Sequence, residues 1–396
     1  MIHRNTTAAA VLAALAALTA GVAHADNSIT LYGIVDVGIG YQKLKQDGSD
    51  LSRTGLIDGV QSGSRWGLRG SEDLGNGLRA TFQLESGFNP RTGRSGQGGR
   101  LFGRQAALAL SNDAWGTLTA GRKTNITSDF FGPIDPFAAA FGQSNIGSSL
   151  PAANTQRWDN QLQYLTPRIE GFQVGVGYSF DIGENGNAFE GQGNNFATNQ
   201  KNRGLTAGLR YLDGPLSVAA SYDQISRRSG AADANPATNP LGATGERLRS
   251  WMVGGTYDLQ VAKLALAYGQ IKDGWLGSPG LQSGQGLPAT TATDAATPFG
   301  NFTGTTFRKG AKVKSYLAGV TVPLGASSLF GSWQRAEPSN SLLSGDDVTM
   351  NTYSLGMTHD LSKRTNVYAY GSYAKNWAFV DGTKSQLVGL GLRHRF

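Results

Sequence analysis

Apolar and polar residues alternate with a period of two in segments that recur through almost the whole chain. In the segment GFQVGVGYSFD, Phe172, Val174 and Val176 share one face of an extended chain, and Gln173 and Gly175 share the other. The segments GLTAGLRYLDG, WMVGGTYDL and LALAYGQ have the same pattern. This period is typical of β-strands whose two faces meet different surroundings. The sequence therefore predicts an all-β protein.

The number of these segments and the lengths of their connections indicate how the strands are arranged. Sixteen segments begin near residues 29, 64, 78, 102, 117, 156, 172, 204, 216, 248, 262, 313, 327, 350, 365 and 386. Short turns such as NDAWG and LDGP alternate with long stretches rich in Gly, Asn and Pro. This alternation predicts an antiparallel up-and-down meander with its long loops at one end. Because a flat sheet of that size curls or splits, we expect a closed barrel.

Composition and the placement of aromatic residues indicate that the barrel spans a membrane. Hydrophobic residues make up 39% of the chain, without the long apolar runs of helical membrane proteins, and many of the 56 glycines lie within the alternating segments. In a bilayer every backbone polar group must be paired within the protein, and a closed barrel achieves this. Tyr164, Phe172, Tyr211 and Tyr257 lie on apolar faces near short turns, where an interfacial girdle of aromatic residues belongs. We therefore predict a transmembrane 16-stranded antiparallel up-and-down β-barrel with a polar lumen.

The N-terminus has the features of an export signal. Arg4 precedes an apolar run from Ala8 to Val22, and Ala23-His24-Ala25 has the form of a cleavage site. The run is shorter than the roughly 20 apolar residues that a membrane-spanning helix needs. We predict that residues 1–25 are a secretory signal peptide that is removed, and that residues 26–396 form the barrel.

The C-terminus keeps the strand pattern to its last residue. In LVGLGLRHRF, Val388, Leu390 and Leu392 share a face with the terminal Phe396, whereas chain ends are usually frayed and polar. The pattern predicts that the last strand pairs with the first, ITLYGIVDVGIGY, and closes the cylinder. Phe396 is then expected in the aromatic girdle at the short-turn end.

Several motifs resemble those of a known family. The stretches SITLYGIVDVGIGYQ, SRWGLRGSEDLGNGLRATFQLESGFN and GRQAALALSNDAWGTLTAGR, with the terminal Phe, are similar to the Gram-negative general porins of the β-proteobacterial type. The resemblance extends over essentially the whole mature chain. It implies a passive diffusion channel for small hydrophilic solutes, formed by a homotrimer in contact with outer-membrane lipid and lipopolysaccharide. It also implies that the outer-membrane assembly machinery reads the terminal aromatic strand.

The resemblance implies that the third long loop folds into the barrel and narrows it. Here this loop would run from about Asn125 to Gln156, and its stretch DFFGPIDPF has the family's aromatic, Gly and Pro residues around an acid. Composition alone leaves a second possibility open, since a long Ala- and Ser-rich loop could equally cover the barrel mouth.

The same resemblance implies a ladder of arginines on the wall opposite that loop, at Arg65, Arg104 and Arg157. Alternation favours inward positions for Arg65 and Arg157, because Trp66 and Trp158 beside them take outward positions. Arg104 has the same parity as the apolar leucines of its own segment, so alternation would place it on the outer face. An inward position would require a β-bulge, or rests on the resemblance of the motif alone. Its orientation stays open at this stage.

Acidic residues are expected to oppose the arginines. Glu85 and Asp36 have lumenal parity, and Asp129 and Asp135 would supply the acidic side of the loop. Because the loop has few acids, we predict a constriction that is basic overall and a pore that prefers anions. Aromatic residues in the lumen could instead serve a substrate-specific channel, and alternation does not separate these two alternatives.

Composition gives little support to other functions. The chain has no Cys, and its carboxylates are scattered, so we expect no metal site, no cofactor and no acid-pair chemistry. A barrel hydrolase would need a His beside its nucleophile, yet His359 and His394, the two that remain after signal removal, both take interfacial positions. Structural and adhesive barrels tend to be small, with an interior filled by side chains, whereas a barrel of sixteen strands leaves an aqueous channel. The net charge of +7 is spread out, without the lysine-rich tract typical of nucleic-acid binding.

Overall fold

The computed structural model describes residues 28–46, 49–183, 202–226, 247–276 and 305–396. The predicted signal peptide, residues 1–25, lies outside the described residues. So do large parts of three long connections that were predicted between strands.

The described residues are almost entirely extended. Their strands are β1 (Ser28–Gln46), β2 (Ser49–Asp58), β3 (Arg65–Gly75), β4 (Leu78–Gly87), β5 (Gln105–Asn112), β6 (Gly116–Thr124), β7 (Arg157–Leu165), β8 (Phe172–Ser179), β9 (Arg203–Asp213), β10 (Leu216–Ser226), β11 (Arg247–Asp258), β12 (Lys263–Trp275), β13 (Thr306–Leu324), β14 (Ser327–Pro338), β15 (Met350–Asp360), β16 (Thr365–Lys375) and β17 (Lys384–Arg395). One short α-helix, α1 (Ile126–Phe131), follows β6 within the described part of the chain. Single 3₁₀ turns lie at Gln97–Gly99, Gly142–Ser144, Ile146–Ser148, Pro151–Ala153 and Trp377–Phe379. No helix in the described ranges is long and apolar enough to cross a membrane.

The strands form one closed antiparallel sheet. Consecutive strands pair with each other except β2 and β3, which both pair with β1, and β17 pairs with β1 from Ile34↔Arg395 to Lys45↔Lys384. The predicted pairing of the last strand with the first is therefore confirmed, and closure leaves no edge strand among the residues that the structure describes.

β2 and β3 are two parts of one barrel strand. β3 pairs with the first part of β1, from Ser28↔Ser71 to Ile34↔Arg65, and β2 pairs with the second part, from Val37↔Asp58 to Gln46↔Ser49. Residues 59–64 interrupt this strand. With β2 and β3 counted together, the described chain forms the predicted sixteen-stranded barrel.

The strand starts agree with those predicted from alternation, with two notable differences. β13 begins at Thr306 instead of near residue 313, and β2 was not predicted at all. The segment SDLSRTGLID mixes apolar and polar residues on both faces, so a period of two is weak there. Its extended structure depends on pairing with the long end of β1.

The two faces of the barrel differ as the sequence predicted. Large apolar side chains are exposed on the outer face of every region of the sheet, as at Leu31, Leu108, Leu266 and Leu390. This surface suits the hydrocarbon layer of a membrane. At the short-turn end, the rings of Phe172 and Tyr211 lie with their centroids 4.7 Å apart, as expected for an aromatic girdle.

The terminal residue completes the seam between β1 and β17. The Gly33 N–H donates to the Phe396 carbonyl, and the Phe396 N–H donates to the Gly33 carbonyl, each at 3.1 Å. A Cβ on Gly33 would lie 2.1 Å from the Phe396 ring, so the absent side chain leaves room for that ring. Phe396 is therefore hydrogen-bonded within the sheet, and its side chain is half-exposed on the outer face.

Candidate functional site

The third loop, residues 125–156, begins at a capped helix. The Asn125 side chain accepts a hydrogen bond from the Ser128 N–H at 3.1 Å, which caps α1. The Asn125 amide also donates to Asp223 of β10 at 2.9 Å, and the Ile126 N–H donates to the Thr206 hydroxyl of β9 at 3.1 Å. These bonds attach the root of the loop to inward-facing side chains of two strands.

The middle of the loop contacts the inner faces of strands across the barrel. Gln334 of β14 donates to the carbonyls of Ser144 and Asn145 at 2.8 and 3.0 Å. The Gln143 amide donates to the Ser372 hydroxyl of β16 at 3.1 Å, and the Ser385 hydroxyl of β17 donates to Gln143 at 2.6 Å. The loop therefore lies along the inner wall, and most of its apolar side chains are buried.

The tip of the loop packs in an aromatic cluster. The Phe141 ring contacts Phe137, Phe330, Tyr368 and Tyr370, with centroid distances between 5.4 and 5.7 Å. These geometries are tilted or edge-to-face, as is favourable for aromatic pairs. Loop and wall thus share one small apolar core inside the barrel.

Arginines and a glutamate meet on the wall formed by β3, β4, β5 and β7. The Glu85 carboxylate accepts from Arg104 Nε at 2.7 Å and from the Tyr32 hydroxyl at 2.9 Å, and it lies 3.6 Å from Arg65 Nη1. Arg157 lies close enough to Arg65, Arg104 and Glu85 for their charges to interact. Four of the predicted site residues are therefore together.

The orientation of Arg104, which alternation left open, follows from where β5 begins. The strand starts at Gln105, so Arg104 precedes it and the parity of the strand does not apply. The Arg104 N–H donates to the Glu85 carbonyl at 3.1 Å, and its side chain reaches the Glu85 carboxylate. Arg104 thus faces the lumen with Arg65.

Trp158 differs from its prediction. It was expected to face outward beside Arg157, but it is 2% exposed and packs against Gly204 on the inner side of β9. The register between β6 and β7 shifts between Gly121 and Lys123. This shift changes which side chains of the two strands point inward beyond Gly121. Trp158 is therefore part of the core that supports the third loop.

The same register shift brings in arginines that sequence reasoning missed. Arg122 would face outward by the alternation of Leu118 and Ala120, but its side chain forms an ion pair with Asp159. Arg100 reaches both oxygens of Asp159 at 2.7 Å. Gly121 was the available signal, because an isolated glycine inside a strand suggests a bulge. Its φ of 130° is in the region that favours glycine.

The acidic loop residues do not join the arginine cluster. Asp129 forms an ion pair with Lys123 of β6. Asp135 is 4% exposed and accepts hydrogen bonds from the backbone N–H groups of Phe137, Ala139 and Ile146 at 2.9 to 3.0 Å. Burial raises the pKa of Asp135 to about 6, because removal of the carboxylate from water outweighs the three donors. Asp135 therefore organises the loop and does not face the arginines.

The constriction cluster is defined here as Arg65, Arg100, Arg104, Arg122 and Arg157 with Glu85 and Asp159. Five guanidinium groups share two carboxylates, so the cluster has an excess of positive charge. Within the described ranges, no group of three or more His, Cys, Asp and Glu side chains is arranged to hold a metal ion. The site is thus a cluster of net positive charge on the inner wall of the barrel.

Comparison with known proteins identifies the family. Residues 8–378 match the family described as Gram-negative porin. The chain belongs to the Gram-negative porins. The resemblance found in the sequence motifs is therefore confirmed.

The individual relatives of this porin agree with the family match. An outer membrane porin protein of Bordetella pertussis is 52% identical over 397 residues, covering 97% of this chain and 98% of the relative. Outer membrane porin protein 32 of Delftia acidovorans is 29% identical, covering 96% of this chain and 91% of the relative. The solved structure of an anion-selective porin from Comamonas acidovorans has a TM-score of 0.68 at 25% identity, covering 94% of this chain and 100% of that one. This porin is thus an outer-membrane diffusion channel.

Proposed function

We propose that this porin passes small hydrophilic solutes with a preference for anions. The observation that carries the proposal is the constriction cluster, in which five arginines share two carboxylates opposite the third loop. Clusters of arginine at the narrowest point of a pore favour anions over cations. The similarity to a structure described as an anion-selective porin supports the same preference.

Single replacement of Arg65, Arg104 or Arg157 by Ser is expected to weaken the anion preference. A unit charge about 4 Å from a permeating ion contributes about 1 kcal/mol in water, with opposite sign for an anion and a cation, so the anion-to-cation permeability ratio should fall by up to about thirtyfold. The measurement is the zero-current potential across a KCl gradient in planar bilayers.

Arg364→Ser is the matched control for these three variants. It removes the same charge from an exposed short turn at the other end of the strands, so the reversal potential should stay at the parental value. A cation-selective parent, or three cluster variants with parental potentials, would overturn the proposed selectivity.

Glu85→Gln is expected to change selectivity in the opposite direction. The substitution keeps the shape of the side chain but removes one negative charge from between Arg65 and Arg104, so the anion preference should increase. Weakened bonds to Arg104 and Tyr32 should also lower the free energy of unfolding, by about 1–3 kcal/mol. Reversal potentials and thermal unfolding measure the two effects.

Glu337→Gln provides the same change of charge away from the cluster. Glu337 lies near Arg335 at 3.7 Å, and both side chains are more than a third exposed. We expect a parental reversal potential and nearly parental stability, since exposed ion pairs contribute little. An equal shift in both Gln variants would contradict a specific effect of the cluster.

We propose further that residues 1–25 direct export of the chain and are then cleaved off. The mature chain is inserted by the outer-membrane assembly machinery and forms a homotrimer. The family and its relatives support this, because they are outer-membrane porins. The same relatives are channels, so we also propose that this porin has no enzymatic activity. We also propose that the barrel contacts lipid and lipopolysaccharide of the outer membrane, and its exposed apolar surface supports this.

A further inference from the structure

Residues 59–64, between β2 and β3, form an inward turn that leaves the sheet. They lie opposite only Val35 and Asp36 of β1, because the flanking register pairs are Val37↔Asp58 and Ile34↔Arg65. The turn therefore contains more residues than the ladder can pair. Its Val60 and Ser64 side chains are buried, and its contacts are with inward-facing groups.

One side of the inward turn contacts the arginine wall. Arg65 Nε donates to the Gly63 carbonyl at 2.8 Å. The guanidinium of Arg104 occupies the space beside Gly63, since a Cβ built on that residue would lie 2.8 Å from Arg104 Nη1. Gly63 thus orients one arginine through its carbonyl and leaves space for the other through its missing side chain.

The other side of the inward turn contacts the tip of the third loop. The Phe141 N–H donates to the Val60 carbonyl at 2.6 Å. Val60 also belongs to the buried cluster that includes Phe137, Phe141 and Tyr368. The tip is therefore attached to residues 59–64 by both a backbone hydrogen bond and apolar packing.

A buried carboxylate holds the inward turn in place. Asp36 is 0% exposed, and it accepts from the Ser62 N–H at 2.7 Å and from the Tyr368 hydroxyl at 2.6 Å. The Asp36 N–H donates to the Ser64 hydroxyl at 3.0 Å, and Arg393 Nη1 donates to the Ser62 hydroxyl at 3.0 Å. A buried charge is costly unless hydrogen bonds satisfy it, and here they tie β1, β16 and β17 to the turn.

We propose that the inward turn is the common support of the constriction. Through Gly63 it positions Arg65 and Arg104, and through Val60 it holds the loop tip, so one short segment sets both the ion preference and the width of the pore. Asp36 and Gly63 are then positioning residues, which act on the permeating ion through the arginines and the loop tip. The part concerning ion preference rests on the proposed function.

Gly63→Ala tests the contact with the arginines. The new methyl group must displace the end of the flexible Arg104 side chain, so the barrel should still fold and form open channels. Because the charge moves and is not lost, the anion-to-cation permeability ratio should fall by about twofold, less than after removal of the arginine. Gly55→Ala on β2 is the matched control, since a Cβ there meets nothing within 4 Å.

The reversal potentials of the two alanine variants decide this part of the proposal. A shift in Gly63→Ala with a parental Gly55→Ala supports it. A parental potential in Gly63→Ala, beside a measurable effect of Arg104→Ser, overturns it while leaving the proposed function intact.

Asp36→Ala tests the contact with the loop. It removes the acceptor of the Ser62 N–H and the Tyr368 hydroxyl, so we expect larger fluctuations of the open-channel current and a changed mean conductance. Parental current noise and conductance in a folded Asp36→Ala channel would overturn the support of the loop. If the parent shows no ion preference, the proposed function fails, and these current measurements still decide the role of the turn. If Asp36→Ala does not assemble, Tyr368→Phe takes its place: it removes the hydroxyl donor to Asp36 and keeps the ring that packs against Phe141, and parental noise and conductance in that variant would equally overturn the support of the loop.

Discussion

Deletion of residues 387–396 is expected to abolish the folded channel completely. These residues form most of β17, which pairs with β1 on one side and with β16 on the other. Their removal leaves two rows of backbone groups unpaired in the membrane, and each unpaired group costs several kcal/mol there. The truncated chain should show no heat-resistant assembled form on gels and no channel events in planar bilayers.

Phe396→Ala separates the terminal side chain from the strand that carries it. The backbone bonds between Phe396 and Gly33 remain available in this variant, so the barrel should still close in vitro. A truncated protein that assembled and conducted like the parent would contradict the conclusion that the last strand closes the cylinder.

Removal of the loop tip is expected to widen the pore. Asp135 accepts from the Ile146 N–H, so the chain on either side of residues 137–145 is already close and a Gly-Gly link can replace them. This deletion removes Phe141 and Gln143 with their contacts to the inward turn, β16 and β17. Single-channel conductance should rise at least about twofold, because pore diameter limits passage. Larger neutral solutes should also enter in liposome-swelling measurements.

Replacement of the same residues by an equal number of Gly and Ser residues is the control. It keeps the length of the loop but removes its anchoring side chains, so conductance should fluctuate instead of rising to one stable value. The root contacts of Asn125 and Asp223 are intact in both variants, which should preserve folding. A stable parental conductance after the deletion would contradict a role for the tip in setting pore width.

Local alternation was sufficient to predict the barrel. Leu390 and Phe396 lie on the outer face, and Glu85 and Arg65 on the inner one, because successive side chains of any strand point to opposite faces. The short turns and the terminal strand follow from the same local pattern. Parity therefore predicted part of the site without knowledge of tertiary contacts.

Parity failed where the ladder is irregular. Arg122 lies within the register shift between Gly121 and Lys123, and Trp158 pairs with Lys123 at its edge. Both point inward, where the alternation of their strands would place them outward. A bulge adds a residue to one strand and reverses the side-chain order beyond it. Gly121 marks the position in the sequence, but the direction of the change depends on pairing with β7.

The sequence by itself determined the architecture, since strand period, turn spacing and the terminal aromatic strand are local properties of the chain. Only the tertiary structure decided how the constriction is built. The Asp135 carboxylate accepts hydrogen bonds inside the loop, and the Asp36 carboxylate accepts from both the inward turn and Tyr368 of β16. These bonds join residues far apart in sequence, and a buried carboxylate takes the donors that folding brings to it. Alternation assigns such a residue a face, whereas its partners are set by the packing of loop against wall.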